Sequence, residues 1–192
     1  MRDIAVPLAP FPGVMGVALD DAGSHNTAPP RKNGGNMDIK QLTAGTTVFL
    51  PVWVDGALFS VGDAHGAQGD GEVCITAVEM NARITLKFEL LPGGNLSEPQ
   101  LRTGGRAKQV AHAAHVTQGP HYATTAHGTD LYQCARQAVR HMIDHLVRHR
   151  GLTREEAYIL CSVAVDLKIS EIVDAPNWIV SAFLPEMVFG GK

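Results

Sequence analysis

In TDLYQCARQAVRHMIDHLVRHRGLTREEAYILCSVAV, residues 129–165, the hydrophobic period changes from that of strands to that of helices. Leu131, Cys134, Ala135, Ala138, Val139, Met142, Ile143, Leu146 and Val147 follow the i, i+3, i+4, i+7 spacing, which lays an apolar stripe along a helix of about four turns. Thr129 or Asp130 stands where a side chain can cap its start, and Gly151 supplies the stop. Thr153-Arg-Glu-Glu156 reads as a capping box that opens a second helix running to about Val165. So short a connection predicts that the two helices pack antiparallel.

Outward from this pair the chain reads as strands. Downstream, Lys168–Val173 and Trp178–Leu184 are strand-like runs separated by Asp174-Ala-Pro-Asn177. Upstream, Thr46–Val54 is rich in β-branched and aromatic residues, and Asp55-Gly56 marks a tight turn into Ala57–Val61, a hairpin signal. Pro51 inside the first of these runs calls for an edge or a bulge. Glu72–Glu79 and Arg83–Leu91 read as two more strands joined through Asn81-Ala82. In the second, Arg83, Thr85, Lys87 and Glu89 alternate with Ile84, Leu86, Phe88 and Leu90, the pattern of a strand with one wet face. Val14–Leu19 is a short apolar run that reads as a strand, residues 20–35 form a polar loop, and residues 92–120 are irregular around one further strand. The expected class is α+β: a β-rich body of antiparallel or mixed strands with a C-terminal antiparallel helix pair and closing strands. A single domain over residues 1–192 is expected, strand-rich over 1–125, with the helix pair and closing strands over 126–192.

Composition excludes several functions. With 16 basic and 19 acidic residues the formal net charge is −3, so there is no electrostatic reason to expect nucleic acid or an anionic membrane as partner. The basic residues Arg136, Arg140, Arg148 and Arg150 fall on the first helix and read as a solvated face with cations near its C-terminus. No apolar run approaches the length of a membrane span and the N-terminus has no signal-peptide core, so a cytoplasmic location is expected. Cys74, Cys134 and Cys161 lie in apolar segments without regular spacing and read as buried free thiols.

The densest chemistry is in GDAHGAQGDGE, residues 62–72, where Asp63, His65, Gln68, Asp70 and Glu72 sit among four glycines. Glycine lets the backbone approach a ligand, while carboxylates and imidazole serve as metal ligands or as acid/base groups. If both flanks are extended, Asp63 and His65 share one face, as do Asp70 and Glu72. An Asx-turn loop with solvated carboxylates accounts for the same residues without a site. Glu79 shares strand parity with Val73, Ile75 and Ala77, and a carboxylate on an apolar face needs a partner, a metal or a raised pKa unless it escapes into water at the strand end. Asn36 and Asp38, in Asn33-Gly-Gly-Asn-Met-Asp38, are a weaker signal that a turn also explains. His25, His112, His115, His121 and His127 are candidates by residue type alone.

Together the GGNMD segment at 34–38, the 62–72 segment continuing to Glu79, and EEAYILCSVAVDLKISEIVDAPNWIVSAFLP at 155–185 resemble the acetamidase/formamidase family, as does Pro12-Gly13-Val14-Met15-Gly16-Val17. The resemblance implies hydrolysis of small linear aliphatic amides, of the formamide and acetamide type, to a carboxylate and ammonia, with a bound divalent metal, zinc or alternatively calcium. On that footing His65, Asp63 and Asp38 are expected at the metal, with Asp70 as an alternative ligand. Glu72 is expected as base and then acid, with Asp70 and Glu79 as further catalytic carboxylates. Asn36 and Gln68 are expected on the substrate carbonyl. A homo-oligomer is expected. Members of the family are longer, and the chain resembles a C-terminal portion lacking an N-terminal β-rich region. A catalytically inactive unit that assembles with a separate N-terminal region is therefore the alternative, and it predicts an exposed apolar patch. A cysteine or serine nucleophile is disfavoured, since Cys74 has no neighbouring His or Lys in sequence and no G-x-S-x-G elbow occurs.

Overall fold

The computed structural model describes residues 5–104 and 119–190. In chain order its elements are β1 (Phe11–Gly16), β2 (Gly34–Asn36), β3 (Thr47–Phe49), β4 (Ser60–His65), β5 (Gln100–Arg102), β6 (His121–Gly128), α1 (Leu131–Arg150), α2 (Arg154–Ala164), β7 (Asp166–Glu171) and β8 (Trp178–Pro185), closed by a 3-10 turn at Glu186–Phe189. The strands form two antiparallel sheets, one ordered β2-β1-β4 and the other β3-β5-β6-β8-β7. The α+β class holds.

The helices form where their local signals lie. Asp130 accepts the Gln133 N–H at 3.0 Å to start α1, which stops at Gly151 in the left-handed conformation (φ 68°). Thr153 and Glu156 form a reciprocal capping box on α2.

The second sheet is the middle layer. Along β8, Ile179 and Phe183 point into one core with Phe11, Met15, Met37, Ile39 and Leu101, between the two sheets. The alternate residues Ala182 and Leu184 point the other way, to Ala138 of α1 and to Met142, Leu146, Ala157 and Cys161 of the helix pair. Covered on both faces, β8 reads as a near-continuous apolar run.

β6, HYATTAHG, gives no strand signal in the sequence because it lacks bulky apolar residues. Its small side chains let α1 lie close: Ala126 packs on Ala138 and Ala182, and the Thr124 hydroxyl donates to the Ala138 carbonyl at 2.8 Å.

Elsewhere the expected strands are redrawn. The turn at Val54–Ala57 forms, with the Ala57 N–H donating to Val54 at 3.1 Å, but left-handed Ala57 and Leu58 (φ 55° and 51°) redirect the chain. Its flanks enter different sheets, β3 pairing with β5 and β4 with β1, so there is no 46–61 hairpin. Glu72–Glu79 is not a strand, because Glu72 and Ile75 take left-handed backbone (φ 44° and 65°) and close a turn. Arg83–Leu91 has the alternation of a strand but no neighbour strand among the described residues, and it lies exposed. The run assigned to Val14–Leu19 pairs earlier, as β1. Cys74 is exposed, while Cys134 and Cys161 are buried, and all three are free. His112 and His115, and part of the segment expected to hold a strand within 92–120, lie outside the described residues.

Candidate active site

The three-stranded sheet assembles the site. β4 sets His65 opposite Phe11 of β1, β2 sets Asn36 opposite Val14, and Asp38 is held just beyond β2 by its N–H donating to the Gly13 carbonyl at 3.1 Å. Gly13 is the floor: a Cβ there would stand 2.4 Å from Asp38 Oδ1 and 2.9 Å from both Asp63 Oδ2 and His65 Cε1. Asp38, Asp63 and Glu72 take left-handed backbone (φ 44°, 55° and 44°), which side chains other than glycine's adopt at a cost and which clusters at functional sites. The strain turns all three carboxylates toward one imidazole.

His65 is 1% exposed and packs edge-on against the Phe11 ring, with centroids 5.2 Å apart. Its tautomer follows from its neighbours. The Gln68 amide N–H donates to the Asp38 carbonyl at 2.6 Å, so the amide oxygen faces His65 Nδ1, 2.8 Å away, and Nδ1 carries the proton. Nε2 is left as a lone pair facing Asp63 Oδ1 at 3.2 Å, Glu79 Oε1 at 3.3 Å and Glu72 Oε1 at 3.8 Å. Gln68 thus spends both ends of its amide on positioning, an arrangement typical of the second layer around a ligating histidine.

The closing half comes from the turn between β7 and β8. Glu171 is wholly buried, and its Oε1 accepts the N–H groups of Val173 and of Asp174, the latter at 2.6 Å. This clamp directs Asp174 toward the cluster, where the Asn36 amide donates to its Oδ2. A bridge pairing Gly71 with Glu171 ties the clamp to Glu72. Ligand-type atoms of Asp38, Glu72 and Asp174 lie within 4.8 Å of one another, as do those of Asp38, Asp63 and His65 and those of His65, Glu72 and Glu79.

Asp70 does not join them. Gly71 and Glu72 both have positive φ (92° and 44°), so Asp70 and Glu72 do not share a face; Asp70 pairs with Lys40 at 2.9 Å and accepts from Gln41 at 3.3 Å. Asn36 is present but engaged with Asp174. Glu79 sits at the rim, half exposed, accepting from the Thr76 hydroxyl and the Ala77 N–H at 3.2 Å each. Beside it an open cleft is lined by Asp63, Ala64, Glu79, Met80 and Asn81.

So many carboxylates cannot all be charged in this setting. Burial, then the charges of Glu72, Asp174 and Asp63, push the Asp38 carboxyl up to about 9. Burial likewise raises Asp63, Glu72 and Asp174, and it lifts Glu171 to about 7. Among the described residues no Lys or Arg pairs with Asp38, Asp63, Glu72, Glu79 or Asp174. Neither oxygen of Asp38 receives a hydrogen bond from an N–H or hydroxyl group of another residue. The His65 imidazole with the carboxyls of Asp38 and Asp63, brought together over Gly13, makes a donor set suited to a divalent cation.

Three residues of this arrangement were not legible as site residues. Gly13 lies in a recognisable Pro-Gly run but has no side chain to mark it. Asp174 and Glu171 carry no local signal in the sequence, since most of the groups that Asp174 meets are far away in the chain.

A family model described as the Acetamidase/Formamidase family matches residues 13–191. A formamidase of Methylophilus methylotrophus is 32% identical over 207 residues, covering 97% of this chain and 49% of that protein. Among solved structures, a predicted acetamidase/formamidase from the thermophile Thermoanaerobacter tengcongensis aligns with a TM-score of 0.84 at 33% identity, covering 98% of this chain and 57% of that one. An acetamidase from Yersinia enterocolitica aligns with a TM-score of 0.85 at 29% identity, covering 100% and 53%. The chain spans about half the length of the curated relatives named formamidase that it matches.

Proposed function

The chain belongs to the acetamidase/formamidase family, and from that premise we propose that the cluster around His65 hydrolyses small linear aliphatic amides to a carboxylate and ammonia. One observation carries the reading: the carboxyls of Asp38 and Asp63 meet the His65 imidazole at the space kept open by Gly13, with a ligand-type oxygen of Glu72 close to both His65 and Asp38.

The residues fit a divalent cation, with His65, Asp38 and Asp63 as its holders, Asp174 lying beside Asp38 and Glu79 beside His65. An imidazole in the set favours zinc over calcium, whose ligands are oxygens. When bound, such an ion supplies Lewis acidity toward the amide carbonyl and acidifies water. The chain's own residues supply the rest. Gln68 keeps the proton on Nδ1 and so keeps Nε2 free. Asn36 orients Asp174. Glu72, its pKa raised by burial, accepts a proton from the attacking water and returns it to the departing nitrogen, the step without which an amide does not expel its poor leaving group. Substrate enters from the open cleft beside Asp63 and Glu79.

Ammonia release from formamide and acetamide by the purified chain is the test. Turnover should fall at least about a hundredfold in Glu72→Gln and should be lost on chelation and restored by added zinc. Turnover indifferent to both treatments would sink this mechanism. A second reading, a unit that is silent until another polypeptide covers it, is favoured by the exposure of Glu79 and Asp63 at the rim together with the half-length match. Absence of turnover with intact zinc binding would select it. A cytoplasmic location and a homo-oligomer remain part of the proposal.

A further inference from the structure

The mouth of the site is held more firmly than its exposure requires. Residues 78–80 lie along the end of β4, pinned by main-chain hydrogen bonds on both sides of Glu79. The Gly66 N–H donates to the Val78 carbonyl at 2.7 Å, the Val78 N–H to Ala67 at 3.0 Å and the Met80 N–H to Ala64 at 2.9 Å. His65 and Glu79 stand opposite each other in this bridge. With the Thr76 hydroxyl and the Ala77 N–H donating to its carboxyl as well, Glu79 is a fixed charge rather than a swinging one. It shares the open cleft with Asp63, and the rest of the lining, Ala64, Met80 and Asn81, is uncharged.

Behind the mouth the charges have one sign. Those acting most strongly on Asp63 and Glu72 are His65 and other carboxyls, and neither Asp63 nor Glu79 has a Lys or Arg partner among the described residues. Deeper in, Asp38 is 1% exposed and no N–H group donates to either of its oxygens, so the cluster is addressed to a ligand and is not satisfied within itself. A divalent ion on Asp38 and Asp63 offsets the charge of those two and leaves Glu72, Asp174 and Glu79 without a counter-charge. A cleft lined by one sign of charge gathers small molecules of the opposite sign and turns away its own.

We propose that this site sorts amides by the charge on their acyl chain, taking cationic amides ahead of neutral ones and rejecting those that carry a carboxylate, with Glu79 setting the order. Its substrates are then short neutral amides and ω-amino amides, and not the half-amides of dicarboxylic acids. The turnover of these compounds rests on the amidase reading; their order of binding does not. Glu79 Oε1 is 3.3 Å from His65 Nε2, so a carbonyl lying at His65 brings an ammonium two carbons further along close to the Glu79 carboxylate. A unit charge about 4 Å from a carboxylate gains roughly a factor of five even in water, and more in a half-dry cleft, while a like charge loses as much.

Three amides of similar size provide the test: β-alaninamide, which is a cation at neutral pH, butanamide, which is neutral, and malonamate, which is an anion. Dissociation constants are read from the His65 imidazole signals in NMR titrations of the zinc-supplied Glu72→Gln chain, and kcat/KM from ammonia release by the unaltered one. β-Alaninamide should bind about tenfold more tightly than butanamide, and malonamate about tenfold more weakly. Both gaps should narrow as salt is raised. Adding Glu79→Gln should reduce the first to about threefold, whereas Glu155→Gln on α2 should leave both unchanged. Butanamide binding as tightly as β-alaninamide, malonamate binding as tightly as butanamide, an order indifferent to salt and to Glu79→Gln, or no saturable binding of any of the three overturns the proposal. The binding order without ammonia release would leave the sorting in place and sink the amidase reading. Ammonia release without that order would do the reverse.

Discussion

At position 13 the absence of a side chain is what allows Asp38, Asp63 and His65 to meet. Adding one methyl group in Gly13→Ala places it 2.4 Å from Asp38 Oδ1, and buried carboxylate and ring have little room to give way. The variant should keep its circular dichroism spectrum while its zinc affinity, read by competition with a chromophoric chelator, falls by about 10- to 100-fold. Asp38 makes a different prediction. Its carboxyl moves from an ordinary value of 3.8 to about 9 in the folded chain, so the folded state holds a proton that the unfolded chain has already released. That contribution to stability is complete below the ordinary value and is lost as pH rises through about 9, and the raised Asp63, Glu72, Asp174 and Glu171 add the same sign. Urea melts in EDTA should therefore show midpoints falling from pH 5 to pH 9. Asp38→Asn should flatten the trend, and zinc should oppose it most strongly at the alkaline end. A midpoint that rises over this range would contradict the burial-driven shifts.

Among the elements, α1 is held by packing that has no part in the site. Leu146 is fully buried among Met142, Ala157, Cys161 and Leu184, so Leu146→Ala should cost about 2–5 kcal/mol in urea unfolding and leave zinc affinity unchanged. Elements of this kind were legible in the sequence because period, N-cap and C-cap are all local: Asp130, Gly151 and the Thr153/Glu156 box lie within a turn of what they terminate. Strands were harder to read because a strand is defined by its neighbour. β6 hides behind small residues chosen by the approach of α1, and β3 and β4 are assigned to different sheets by partners the local turn does not reveal. Arg83–Leu91 shows the converse, a strand pattern with no neighbouring strand among the described residues.

At the scale of the whole molecule, the site spans the three-stranded sheet and the far end of the second sheet. The 62–72 loop and Glu79 were visible as chemistry because so many polar groups crowd a glycine-rich stretch. Which of them converge was not visible, since Asp70 is turned away by left-handed backbone at Gly71 and Glu72. Asp174 could not have been found by spacing, because Asn36, which holds it, lies 138 positions earlier. That separation has a kinetic meaning. Contacts so remote in sequence form only after the intervening loops have closed and the last strands have docked, because their entropy must be met before the contact returns anything. The cluster is therefore among the final things the chain makes. Under the proposed chemistry, capture of an ion would serve as a checkpoint on assembly, since a chain able to retain it has already brought its first strands and its last turn together.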